Sequence, residues 1–187
     1  MTSRALLETL VRRTGFTETH CQKLVELGEH MIPLASEVAL AFYDYLGKDS
    51  EMRELLWAIP GRVERLYGSF AQWYKEVFSG QYDGAYAQRR QRIGLVHARL
   101  GIGPSEMIPA MGIVQELSLE HLRMVLRPHE VFPAVEAFEK IISIEIALIE
   151  ESYLAAMEEG LRQGSAASSK VALVRGAEAL LERGAPS

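Results

Sequence analysis

The chain is 187 residues long, 48% hydrophobic, with a single cysteine and a formal net charge of −5 at pH 7. Length and apolar content suit one domain with a substantial core, the scatter of Lys and Arg among acidic residues excludes the basic footprint of a nucleic-acid binder, and the lone Cys21 excludes an internal disulfide. No stretch approaches the ~20 apolar residues of a membrane span and the N-terminus lacks the apolar run of a secretion signal, so a cytoplasmic, membrane-free protein is expected.

Leu6, Leu7, Leu10 and Val11 recur at helical spacing up to a stop at Gly15, and Thr17 can cap a second helix carrying Leu24, Val25 and Leu27. Pro33 suits the first turn of a third helix through Val38, Leu40, Phe42, Tyr43 and Leu46, ending near Gly47. Asp49 or Ser50 caps a short helical turn through Leu55, Leu56 and Trp57, broken by Pro60 and Gly61. Val63, Leu66, Phe70, Trp73, Tyr74 and Val77 mark another amphipathic helix, followed by a turn over 80–84 and the helix of His97. Gly101-Ile102-Gly103-Pro104 ends that helix and opens a long one through Met107, Met111, Val114, Leu117, Leu122 and Val125, closed by Pro128. The last major helix spans about residues 131–160, and its Ile141, Ile142, Ile144, Ile146, Leu148 and Ile149 form an apolar surface wider than one core requires. With no strand alternation between hairpin turns, the fold class is all-α. Residues 164–169 read as a linker, and Val171, Val174, Ala177 and Leu181 as a narrow apolar stripe that could begin a coiled coil.

His97 is the residue with most chemical content. It stands on a helix whose preceding turn offers Ile93 and Gly94 on the same face, an arrangement that invites a flat apolar cofactor. Its Nδ1–H is expected to point at the Ile93 carbonyl, leaving Nε2 free for iron, and Gly94 to let the ring approach closely. Tyr43, on an otherwise apolar face, offers a hydroxyl to a bound gas, with Leu66 and Phe70 as an apolar ceiling. Residue types alone leave both readings open: a lone helical histidine is more often a surface or satisfied core residue than a ligand, and a Phe-Tyr pair is usually core with a wet tip. His20, His30, His121 and His129 do not pair on one helical face, no Glu-x-x-His pair occurs, and no phosphate loop or nucleophile elbow is present, so no catalytic residue is assigned.

Three segments resolve the choice. Ala41-Phe42-Tyr43-Asp44-Tyr45-Leu46, Val63-Glu64-Arg65-Leu66 and Arg92-Ile93-Gly94-Leu95-Val96-His97-Ala98-Arg99-Leu100-Gly101-Ile102 resemble, in order and spacing, the haem domain of globin-coupled sensors. The resemblance covers about residues 1–160. It implies a sensor globin fold with an extra N-terminal helix and no D helix, and haem b (iron protoporphyrin IX) held by His97 as proximal ligand. It also implies Tyr43 as distal hydrogen-bond donor to the gas, Leu66 as a distal apolar residue, and Phe42, Phe70, Ile93 and Gly94 as further cofactor contacts. After Pro104, where many relatives carry an aromatic pair, this chain has Ser105-Glu106-Met107-Ile108, a departure in the packing of the porphyrin edge.

The function this resemblance implies is a haem-based oxygen, gas or redox sensor, with dioxygen first among ligands and carbon monoxide, nitric oxide or cyanide as others. A homodimer through the two C-terminal globin helices is expected. Residues 161–187 are expected to be a linker and the start of a signalling helix leading to an output domain, a histidine kinase of a two-component system ahead of a diguanylate cyclase. The chain itself is expected to be no enzyme. The alternative is a free-standing globin for oxygen binding or nitric oxide detoxification.

Overall fold

The computed structural model describes residues 2–164 and 168–184. Among these residues there is no strand, and the helices follow the sequence punctuation: α1 (Ser3–Thr14), α2 (Glu18–Met31), α3 (Ala35–Leu46), α4 (Ser50–Trp57), α5 (Arg62–Val77), α6 (Gly84–Arg99), α7 (Pro104–Val125), α8 (Pro128–Arg162) and α9 (Ser169–Arg183). Pro33 lies in a 3-10 turn, Ile32–Leu34, that leads into α3 instead of in its first turn. Residues 165–167 of the expected linker lie outside the described residues. Among the described residues no helix is long and apolar enough to cross a membrane.

Capping explains where these helices begin. The side chains of Thr2, Asp49, Asp83 and Ser168 accept from the backbone N–H of Ala5, Met52, Tyr86 and Val171 at 3.2, 2.9, 2.8 and 3.2 Å, each satisfying a first-turn donor and stabilising its helix by about 1 kcal/mol. Gly15 closes α1 at φ 64°, a left-handed conformation that a side chain would oppose.

Packing divides the chain into two units. The first comprises residues 1–15, 82–109 and 143–187, and so contains α1, α6, the first turn of α7, most of α8 and α9. In it Ser3 Oγ donates to Gln91 Oε1 at 2.6 Å, tying α1 to α6, and α9 packs along α6. The second comprises residues 16–81 and 110–142. Its core gathers Leu24, Leu27, Met31, Val38, Val63, Tyr74, Val77, Phe78, Leu122 and Phe138, with the rings of Phe78 and Phe138 stacked at 5.9 Å. The Tyr74 hydroxyl is satisfied there by Ser118 Oγ at 2.9 Å. The isoleucine-rich stretch of α8 is buried at Ile141, Ile142, Ile144, Leu148 and Ile149, whereas Leu154 and Leu161 further along the same helix are exposed.

The tail differs from expectation in its register. The face that α9 buries is Ala172, Leu173, Gly176 and Ala177, while Val171 is exposed and Val174 and Leu181 are half-buried. Small residues win because they let helix backbones approach, which hydropathy does not score.

Candidate functional site

His97 occupies the last turn of α6, in the first unit. Its carbonyl accepts from the N–H groups of Leu100 and Ile102, both at 3.0 Å, and Gly101 turns the chain at φ 75°, so the end of this helix is fixed. The ring's Nδ1 is enclosed and has no hydrogen-bond partner. The expected bond to the Ile93 carbonyl is therefore not made, although His121 Nδ1 does lie 2.7 Å from the carbonyl oxygen four residues before it, that of Leu117. Burial lowers the imidazole pKa to about 4, so at pH 7 the ring is neutral and one nitrogen keeps a free lone pair. A neutral imidazole on a rigid helix, with a buried nitrogen unsatisfied, fits the donor chemistry of a haem-iron ligand.

The rest of α6 is gripped by α8. Arg90 Nε donates to both oxygens of Glu145, at 2.8 and 3.0 Å, Tyr86 donates its hydroxyl to the same carboxylate, and the Arg90 guanidinium lies 4.1 Å from the centre of the Tyr86 ring. All three side chains are fully buried. One turn after Arg90, Gly94 touches α8 directly: a Cβ there would stand 2.0 Å from Ser152 Oγ and 2.9 Å from the Ile149 carbonyl oxygen. The open side of Gly94 is thus filled by a helix crossing, a correction to the close approach of a cofactor ring expected of it. Glu150 Oε1 and the Tyr153 hydroxyl, also on α8 in this unit, are likewise enclosed without partners, and burial raises the pKa of both groups. Ile93, on α6, is half-buried.

Sequence reasoning missed the Arg90–Glu145 pair, although a lone acid in the apolar run Ile144-Glu145-Ile146 flags a carboxylate that needs a buried partner. It also missed Tyr67.

Tyr43, Phe42, Leu66 and Phe70 belong to the second unit. There the Tyr43 ring meets Phe42, Tyr67 and Phe70 edge-on at 5.1, 5.5 and 6.2 Å, and Phe42 lies 4.9 Å from Phe70. Tyr67 stands four residues after Val63 and three before Phe70, on the apolar face of α5, which is the signal that could have found it. Leu66 is half-buried on the same helix. Burial, and secondarily the neighbouring Tyr67, hold the Tyr43 hydroxyl far above its ordinary pKa, so it keeps its proton and acts as a donor at neutral pH. A shallow cleft lined by Tyr43, Asp44, Gly47, Arg53 and Trp57 opens beside it.

The structure thus brings Phe42, Tyr43 and Phe70 together on α3 and α5, and sets Ile93, Gly94 and His97 along α6. The Protoglobin family profile matches residues 3–159. The chain belongs to the Protoglobin family. This protoglobin is 33% identical, over 76 residues, to the heme-based aerotactic transducer HemAT of Halobacterium salinarum. That stretch is 41% of this chain but 16% of the transducer, so the match spans a small part of that relative's length. Its fold is similar to the globin domain of a Geobacter sulfurreducens globin-coupled sensor, with a TM-score of 0.73 and 27% identity over 78% of this chain and 96% of that one. The architecture is therefore the all-α globin fold.

Proposed function

We propose that this protoglobin is a haem-based gas-sensing domain with His97 as the proximal ligand. The observation that carries the reading is the imidazole itself: helical, half-buried, neutral at pH 7, with its Nδ1 enclosed and unsatisfied. Family membership and the similarity to a transducer named as heme-based support it. Haem b, when bound, supplies an iron centre with a coordination position for dioxygen, carbon monoxide, nitric oxide or cyanide.

The chain supplies everything around that centre. His97 offers a neutral nitrogen on a helix that cannot slide, because Gly94 is in backbone contact with α8 and Arg90 is locked to Glu145. On the resemblance to globin-coupled sensors, the Tyr43 hydroxyl, which keeps its proton, would donate a hydrogen bond to the gas, its ring oriented by Phe42, Tyr67 and Phe70. On the same resemblance, Phe42, Leu66 and Phe70, and separately Ile93, would be apolar contacts of the haem. The domain acts as a sensor and not as an enzyme.

Leu154 and Leu161, exposed on α8, support a homodimer through α7 and α8. The proposed setting is the cytoplasm. The proposed output, on the resemblance to globin-coupled sensors, is a histidine kinase controlled through the segment after α8.

Absorption spectra of the purified protein test the reading. The wild type should show the Soret and visible bands of a histidine-ligated haem that change on adding dioxygen to the reduced form, and His97→Ala should retain no stable haem. A colourless wild type that takes up no added iron protoporphyrin overturns it.

A further inference from the structure

α9 lies antiparallel to the end of α8 and packs along α6, all within the first unit. Both partners of the hairpin carry Ala-x-x-x-Gly, Ala156 and Gly160 on α8 and Ala172 and Gly176 on α9, and the two motifs interlock. A Cβ on Gly160 would stand 1.8 Å from the Ala172 carbonyl oxygen, and one on Gly176 1.7 Å from the Ala156 carbonyl oxygen. Backbone meets backbone at both points, so neither glycine tolerates a side chain without the helices parting.

Further contacts hold the same arrangement. Leu173 is the large apolar side chain that α9 buries. Glu159, nearly buried, pairs with Arg162 at 3.0 Å and with Arg183 of α9. At the other end of α9, the Lys170 side chain crosses Gly101, its Cε 3.0 Å from where a Cβ would stand, four residues after His97. That corner is the one whose Ile102 N–H bonds the His97 carbonyl.

α6 is therefore contacted by α1, α8 and α9, and the grips of α8 and α9 differ in kind. The Gly94 crossing and the buried Arg90–Glu145 pair leave no slack toward α8. The small residues of α9 are spent on α8, whereas the contact of α9 at the His97 corner is the flexible arm of Lys170 over Gly101. A displacement of the His97 turn that α8 cannot absorb falls on α9.

We propose that α9 is a docked latch whose grip on α6 and α8 is coupled to gas occupancy on the His97 haem, so that docking and release of α9 are the mechanical output of this domain. The proposal rests on the haem reading above. Coupling is reciprocal: whatever factor gas binding applies to docking, docking applies to gas affinity.

Hydrogen exchange and ligand kinetics on the haem-loaded chain test it. Exchange protection of the α9 amides over residues 171–181 should differ at least about 5-fold between the gas-free ferrous form and the dioxygen or carbon monoxide form. Gly176→Leu, and deletion of the residues after Gly164, should both keep the Soret band and shift the dioxygen dissociation rate by about 5-fold or more in the same direction. The exchange measurement uses the unaltered chain, so it decides even if a variant fails to fold. A wild type without haem overturns the earlier reading. A haem-loaded wild type whose α9 protection ignores the gas overturns the latch alone, as does an unchanged dissociation rate in a folded undocked variant.

Discussion

The surroundings of His97 and of Tyr43 are built by opposite means. Around His97 the contacts are backbone on backbone and a buried charge network: Gly94 against Ile149 and Ser152, Arg90 and Tyr86 on Glu145. Around Tyr43 they are ring edges on ring faces from Phe42, Tyr67 and Phe70. Close-packed backbone has almost no room to adjust, whereas aromatic edges tolerate small rotations at little cost. Under the proposed function, the group that transmits force belongs in the first environment, and the hydrogen-bond donor that adapts to different small molecules belongs in the second.

Four measurements would break or sharpen that contrast. Glu145→Ala should have the largest effect, about 3–5 kcal/mol lost in urea unfolding, because it leaves the Arg90 guanidinium buried without its counter-charge. The double variant Arg90→Met, Glu145→Leu should recover much of that loss. A single-variant cost near zero would show that the charge network does not hold α6. Gly94→Ala should cost about 1–3 kcal/mol in the same assay, since the added carbon overlaps Ser152 Oγ and the Ile149 carbonyl; a neutral result would mean the crossing opens freely.

The third measurement is pH dependence in the haem-free protein. His97 has a pKa of about 4 folded against 6.5 unfolded, so between these values the unfolded chain binds a proton that the folded chain refuses. Stability should therefore fall as pH drops through this window, by up to about 1.4 kcal/mol per pH unit, and the His97 contribution should be flat above it. His97→Ala should remove that component of the slope, and identical profiles for the two proteins would place the imidazole in solvent. The smallest effect is expected from Tyr43→Phe, which should change stability by less than about 1 kcal/mol, retain haem and speed dioxygen loss roughly 3- to 10-fold, the worth of one hydrogen bond. Stopped-flow kinetics indistinguishable from wild type would remove Tyr43 from gas binding.

The helices were legible because each signal was local. Gly15, Asp49, Gly84, Gly101 and Pro104 punctuate the apolar periodicity within a turn of where the helices begin or end. The globin-coupled-sensor resemblance likewise rested on three short runs, and the family match over residues 3–159 and the globin fold agree with it. What the sequence hid was pairing over distance. Arg90 and Glu145 are 55 residues apart, and nothing in either neighbourhood names the other. The α9 register was misread because Val171, Val174 and Leu181 outrank Ala172 and Gly176 in hydropathy, whereas the structure selects for closeness. The Nδ1 contact to Ile93 is a matter of side-chain rotamer, which spacing does not fix: His121 makes the equivalent contact with the Leu117 carbonyl and His97 does not.

The interlocked glycines of α8 and α9 bear on anyone who grafts this domain onto a reporter. A splice placed after Glu159, where the family match ends, would discard Gly160 and the whole of α9, whose Gly176 backs onto Ala156. A splice beyond residue 184 keeps the hairpin whole. Chimeras cut at the two positions are thus different devices, and only the longer one carries its own moving part.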